Sequence, residues 1–306
     1  MPGVLTGLIP ACHTPFDRDG GLNLAAVQAQ ASLFRATGLR GVFIAGTTGE
    51  FSSLTVYERK ALCDRWVDVA GDTLRVAVHV GSNCQADAIE LAAHARQAGV
   101  AAIAVAPPSF FKPATVNDLV DFCAPIAAEV EPLPFYFYHI PSMTGVRLPM
   151  SEFLYDARFR IPNLRGLKFS HDDLVDLQGC VALEKGAYDI LFGFDEALLA
   201  GLCLGVRGAV GCTYNFAGRH YLRLIRAFEA GDITAARAAQ FEATKMVKTL
   251  ASFGFLAASK AVMSLIGVDC GPVRAPLRNL TPAQLDELVG KLAAFDLFER
   301  PLKLSC

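Results

Sequence analysis

Short apolar runs alternate with longer amphipathic stretches along most of the chain, and the alternation predicts strands and helices in strict turn. Val4 to Cys12 reads as a first strand ending at His13-Thr14-Pro15-Phe16, with Asp19-Gly20-Gly21 as a turn. Leu24 to Phe34 then reads as a helix with Gly38 past its end, Gly41 to Ala45 as strand two, and Thr55 to Val69 as a helix opened by a Thr55–Glu58 capping box. Leu74 to Val80, Ala101 to Ala106 and Pro134 to His139 are strands three to five. Ala86 to Gln97, Val116 to Glu129 and Ser151 to Tyr155 are the helices that follow them, and Pro125 predicts a kink or break in the second of these. Leu164 to Phe169 is the sixth strand, with Ser170 as N-cap of the helix Leu174 to Glu184. Asp189 to Phe194 and Arg207 to Cys212 are strands seven and eight, each followed by a helix (Glu196 to Leu204, Tyr221 to Ala230).

Eight such units suit a (β/α)8 barrel, placed at residues 1–230. A doubly wound open sheet is the alternative, but the first unit carries no G-x-G-x-x-G turn. From residue 231 to 306 the pattern changes to three helices (Ile233 to Leu250, Phe255 to Ile266, Pro282 to Phe295), expected to pack on the barrel as an extension or to support an oligomer contact.

The 306 residues are 53% hydrophobic and 19% charged with a net charge of −2, a composition apolar enough for a large core and without the basic excess of a nucleic-acid binder. No apolar run reaches the ~18 residues needed to span a bilayer. The start of the chain has no charged segment of the signal-peptide kind. Nine scattered cysteines without a C-x-x-C pair read as reduced, buried thiols (Cys63, Cys123, Cys203) of a cytoplasmic protein rather than a disulfide framework or zinc site.

Chemistry enters through Lys168, near the carboxyl end of the sixth strand. Burying an ammonium is costly, and a lowered pKa relieves the cost. A neutral amine there can attack a ketone to form a Schiff base. The alternative is a lysine that snorkels to solvent or pairs with an acid. Gly46-Thr47-Thr48-Gly49-Glu50, after strand two, reads either as a cradle for a small carboxylate or as an ordinary tight turn; it is not a nucleotide P-loop. On strand five, Phe135 and Phe137 share one face and Tyr136 and Tyr138 the other, so the Tyr138 hydroxyl can reach the barrel mouth. Gly193-Phe194-Asp195-Glu196 sets two acids at the next mouth position. Hydroxyl binding or helix capping is favoured there over a metal, because no histidine or acid cluster of metal spacing accompanies them. Cys212, Thr213 and Asn215 can line a pocket. His13, His79, His94, His171 and His220 form no constellation, and His139 reads as a strand-end residue rather than a base.

Taken in order, G-T-T-G-E at Gly46 to Glu50, Y-H-I-P-S-M-T-G-V at Tyr138 to Val146, G-L-K-F-S at Gly166 to Ser170, G-F-D-E at Gly193 to Glu196, G-A-V-G-C-T-Y-N at Gly208 to Asn215 and G-P-V-R-A-P-L at Gly271 to Leu277 resemble the pyruvate-dependent class I aldolase family that includes N-acetylneuraminate lyase and dihydrodipicolinate synthase. The likeness is greater to the lyase branch. The resemblance implies a (β/α)8 barrel, a homotetramer, no metal and no organic cofactor. It implies Lys168 as the Schiff-base amine, Thr47 and Thr48 as ligands of the pyruvate carboxylate, and Tyr138 as the carrier of the proton in carbon–carbon cleavage. Ser170, Gly193, Asp195, Glu196 and Cys212 would contact the sugar-derived chain.

The expected activity is aldol cleavage of N-acetylneuraminate to N-acetylmannosamine and pyruvate. Another sugar-acid aldolase or dehydratase, or a dihydrodipicolinate synthase-like enzyme, is the nearer alternative, and a non-catalytic sugar-acid-binding protein the further one. The synthases carry an arginine soon after the tyrosine; Pro141 to Gly145 has none. Cys212 stands where many lyases have serine, and Phe110 and Phe111 where bacterial relatives often place a tyrosine shared between subunits.

Overall fold

The apolar runs form eight parallel strands: β1 (Gly7–Pro10), β2 (Gly41–Ile44), β3 (Arg75–His79), β4 (Ala102–Val105), β5 (Phe135–His139), β6 (Leu164–Phe169), β7 (Asp189–Phe192) and β8 (Gly208–Gly211). The computed structural model describes residues 5–302, so Val4, where the first strand is predicted to begin, lies outside the described residues. From β2 to β8 each strand pairs with its sequence neighbour, and β1 pairs with β8. A parallel bridge from Ala11 to Phe43, with the Cys12 N–H donating to the Phe43 carbonyl at 2.9 Å, brings β1 to β2 and closes the (β/α)8 barrel.

Strand alternation sorts the core into two layers. Val42, Ile44, Val76, Val78, Ile103, Val105, Phe135 and Phe137 face the surrounding helices. Ile9, Ala11, Phe43, Ala77, Ala102, Ala104, Tyr136, Tyr138, Leu191 and Val210 fill the interior, where alanines leave room for the large rings. The predicted division of Phe135 and Phe137 from Tyr136 and Tyr138 is the observed one. Tyr136 spends its hydroxyl low in the barrel, donating to Asp189 Oδ2 at 2.8 Å.

Helices follow the strands: α1 (Val27–Thr37), α2 (Val56–Ala70), α3 (Gln85–Ala98), α4 (Val116–Glu129), α5 (Pro141–Thr144), α6 (Met150–Ala157), α7 (Leu174–Ala182), α8 (Leu198–Cys203) and α9 (Tyr214–Glu229). The Thr55–Glu58 capping box starts α2, and Gly38 and Gly99, both left-handed, end α1 and α3. Three details differ from expectation. Helix α4 stays a single helix through Pro125, because its buried stripe (Leu119, Val120, Cys123, Ile126) offsets the one hydrogen bond that proline removes. Ser170 does not cap α7: its N–H donates to the His139 carbonyl at 2.8 Å, extending the ladder, and Asp173 caps the helix by accepting from the Val175 and Asp176 N–H groups. Cys203, expected buried, ends α8 exposed, as is Cys84; the other six described cysteines are buried and free.

The chain then runs through α10 (Ile233–Ser252), α11 (Phe255–Leu265) and α12 (Pro282–Leu292). Helix α10 packs on α9 and on the turn after β7. No single described helix is long and apolar enough to cross a membrane.

Candidate active site

The carboxyl ends of the strands meet at one mouth, where a cavity of about 350 Å³ opens. All nine residues selected from the sequence line it: Thr47, Thr48, Tyr138, Lys168, Ser170, Gly193, Asp195, Glu196 and Cys212. Ladder register accounts for the central pair, since Lys168 lies directly beside Tyr138 between β5 and β6.

Lys168 is buried, 3% exposed, and its Nζ sits 3.9 Å from the centre of the Tyr138 ring and 4.1 Å from that of Phe43. No hydrogen bond or ion pair reaches Nζ among the described residues, so the snorkelling and acid-paired alternatives are not the observed ones. Burial pushes the amine down to about 7; the nearby Asp195 carboxylate pulls the other way. A large fraction of the side chain is therefore uncharged near neutral pH and has a free lone pair.

The Tyr138 hydroxyl lies 3.1 Å from Thr47 Oγ1. Burial holds the phenol up at about 12, against hydrogen bonds to Thr47 and Ser170 that favour ionisation, so it enters neutral chemistry with its proton in place. Thr47 and Thr48 stand on a turn entered through Ala45, a non-glycine residue at φ 51°, and left through Glu50 at φ 54°. The glycines of this turn answer to packing: a Cβ on Gly46 would come within 2.7 Å of the Phe43 ring.

Asp195 and Glu196 are not equivalent. Asp195 is buried, and its Oδ2 accepts from the N–H and hydroxyl of Thr213 at 2.8 and 2.6 Å, bracing the start of α9. Neither acid caps the helix that follows β7; Asp195 braces a different element instead. Burial raises its pKa. Glu196 is half-buried at the cavity wall, and its carboxyl also titrates above the usual range through burial. Cys212 Sγ lies 3.7 Å from His13 Nε2 and 3.9 Å from Ser259 Oγ; burial pushes the thiol up to about 12, so it is not a thiolate nucleophile. Phe110 and Phe111 are 77% and 85% exposed, packed edge-to-face on each other. No cluster of three or more metal-ligating side chains occurs among the described residues.

Sequence reasoning missed the far wall. Val247 and Ala251 of α10 and Phe255 and Leu256 of α11 close the cavity, so the C-terminal helices are part of the site as well as an extension. It also missed Lys260, whose Nζ pairs with Glu50 at 2.7 Å behind the threonine turn. Both contacts span about two hundred residues of chain, and no local pattern signals them.

Residues 4–295 match the dihydrodipicolinate synthetase family. The chain belongs to that family. It is 40% identical over 278 residues to N-acetylneuraminate lyase of Gallus gallus, covering 89% of this chain and 90% of that one. To the Homo sapiens N-acetylneuraminate lyase it is 38% identical, with coverages of 95% and 93%. Among solved structures, Proteus mirabilis N-acetylneuraminate lyase superposes with a TM-score of 0.93 at 41% identity, covering 96% of this chain and 99% of that one. The dihydrodipicolinate synthase of Aquifex aeolicus matches at 25% identity and a TM-score of 0.89, covering 98% and 100%. The branch of the family nearer in sequence is thus the lyases.

Proposed function

We propose that this protein is a Schiff-base aldol lyase that cleaves N-acetylneuraminate to N-acetylmannosamine and pyruvate. The observation that carries the reading is the unpaired, buried amine of Lys168 against the ring of Tyr138, one hydroxyl away from Thr47. The lyase names of relatives at 38–40% identity support the substrate.

In this reading Thr47 and Thr48 donate to the carboxylate of the open-chain 2-oxo acid and present its C2 ketone to Lys168. The neutral amine adds to C2, and loss of water leaves an iminium. That cation draws the electrons of the C3–C4 bond as the C4 hydroxyl gives up its proton and becomes the aldehyde of N-acetylmannosamine. Tyr138 takes that proton at its phenol oxygen while its own passes through the Thr47 hydroxyl, 3.1 Å away, to the substrate carboxylate, and the same relay in reverse delivers that proton to C3 of the enamine. Water then releases pyruvate and regenerates the amine. Glu196 and the Ser170 hydroxyl bind the polyol tail; Gly193 makes room, since a Cβ there would stand 2.0 Å from Ser170 Oγ. Asp195 braces the wall, and Cys212 offers only a weak donor where a hydroxyl would be stronger. A cytoplasmic homotetramer is part of the same proposal; the exposed Phe110 and Phe111 are apolar surface that a second copy would cover.

Borohydride reduction in the presence of pyruvate, followed by peptide mass mapping, tests the mechanism. The expected result is one reduced pyruvate adduct, on Lys168; an unmodified Lys168 peptide defeats the proposal. Comparing turnover of N-acetylneuraminate with that of 2-keto-3-deoxy sugar acids tests the substrate.

A further inference from the structure

His79 lies beneath this site, 1% exposed, and takes no part in the chemistry above. Its Nε2 receives the backbone N–H of Ala106 at 3.2 Å, and its Nδ1 lies 3.0 Å from the carbonyl oxygen of Ala45. A backbone N–H can only donate and a carbonyl can only accept. The ring is therefore the neutral tautomer with its proton on Nδ1. Both nitrogens are consumed, which removes His79 as an acid or base and leaves it a fixed clamp between β4 and the end of β2.

The clamped carbonyl belongs to the residue through which the chain enters the threonine turn in a left-handed conformation, φ 51°. That conformation is disfavoured for an alanine and persists only where its surroundings hold it. The imidazole also stacks edge-on against Tyr138, with ring centres 5.7 Å apart, and against Phe51 at 4.5 Å. Arg59 of α2 secures the same segment by donating to the His79 and Gly81 carbonyls at 2.6 and 2.9 Å. Gly81 leaves room for the ring; a Cβ there would come within 2.7 Å of Nε2. Burial and the Arg59 charge keep the imidazole uncharged, well below its ordinary pKa.

We propose that His79 is a positioning residue: its Nδ1–H holds the Ala45 carbonyl so that Thr47 and Thr48 meet the carboxylate of a 2-oxo acid, and its ring sets the tilt of Tyr138. The proposal rests on the lyase reading above and adds a residue outside the cavity lining to it.

Two measurements test it. Nitrogen-15 imidazole spectra of the wild-type protein around neutral pH should show His79 neutral with hydrogen on Nδ1; hydrogen on Nε2, or a ring that titrates in that range, overturns the proposal without reference to activity. The second is the pyruvate dependence of borohydride trapping on Lys168. His79→Phe keeps the ring and loses the donor, and half-saturating pyruvate should rise about tenfold, the effect of one net hydrogen bond, while the maximal adduct per site is unchanged. His79→Asn, whose amide N–H reaches from the Nδ1 position, should recover most of that loss. Wild-type saturation in a folded His79→Phe protein, or a folded His79→Asn protein as weak as His79→Phe, overturns the proposal. If His79→Phe does not fold, His79→Asn and the spectra decide. A wild-type protein that traps no pyruvate would defeat the lyase reading instead, and the spectra would still report on the clamp.

Discussion

Two lysines are buried to the same degree, Lys168 and Lys260, each 3% exposed and each with its Nζ about one ring-stacking distance over an aromatic face (Tyr138 and Phe43 for the first, Phe16 for the second). Their partners separate them. Lys260 Nζ lies 2.7 Å from the Glu50 carboxylate and donates to the Pro272 carbonyl at 2.7 Å, and Glu50 also accepts the Arg274 N–H. Lys168 has no such partner among the described residues. Burial lowers both amines and a carboxylate opposes it at each, Asp195 at Lys168 and Glu50 at Lys260, but only Glu50 also hydrogen-bonds its amine. Burial alone therefore does not mark a nucleophile; a buried amine with no hydrogen-bonded counter-charge does. Lys260 ties α11 to the turn after β2, and Lys168 is left available to a ligand.

Replacing each lysine with methionine should break the pair apart. Lys168→Met should form no pyruvate adduct and show only background turnover, since no other group supplies an amine at that place; retained turnover would contradict the assignment. The same variant should be more stable than the wild type, because an ammonium whose burial Asp195 only partly offsets is no longer present. The folded pKa, about 7, lies below the ordinary lysine value of 10.5. The unfolded state thus binds more protons between those values, and wild-type stability rises with pH there. The gain from Lys168→Met should be full below about pH 7 and shrink toward about pH 10.5, as read by urea unfolding across that range.

Tyr138→Phe sharpens the contrast on the chemical side. The ring that covers Lys168 remains, so pyruvate trapping should survive, while turnover of N-acetylneuraminate should fall about 10²-fold or more for want of the proton carrier. Equal loss of trapping and turnover would mean that Tyr138 serves only to seat the lysine. Lys260→Met should reverse the pattern of Lys168→Met: the carboxylate of Glu50 is left buried without its cation, costing about 3–5 kcal/mol of unfolding free energy. Trapping on Lys168 should persist in the folded fraction. Adding Glu50→Gln to Lys260→Met should recover part of the loss, and a double variant no better than Lys260→Met would deny the ion pair its role.

Lys168 was legible in the sequence because its signal is local: an apolar run and a strand end that must point into a barrel mouth. The capping box at Thr55, the glycine stop at Gly38 and the two faces of β5 were legible for the same reason. Ser170 was misread as a helix cap because a strand that runs one hydrogen bond further looks, in sequence, like a helix beginning three residues early; Asp173 offers the same cap chemistry. Lys260, Ser259 and the α10 and α11 wall carried no local sign, since a helix that lines a site and one that merely packs have the same periodicity. His79 was set aside for a related reason: its partners are backbone atoms of Ala45 and Ala106, which no side-chain pattern can reveal.

The smallest expected effect is the response of Lys168 to the one carboxylate that acts on it, the counterpart of Glu50 at Lys260. Below about pH 7 the uncharged fraction of Lys168 falls tenfold per unit, so the rate of pyruvate imine formation should rise with pH along a limb centred near 7 and then level off. Tyr138 and Cys212, both held up near 12, keep their protons throughout, and His13 and His139, held down near 3 and 4, stay neutral. Asp195 is the largest influence favouring the charged form of Lys168. Asp195→Asn keeps an acceptor for Thr213 while removing that charge, so the limb should move to lower pH. Quenching the imine with borohydride at short times across the range reads both curves. A limb that stays put in Asp195→Asn would mean that Lys168 feels no carboxylate at all, and that its contrast with Lys260 is wider still.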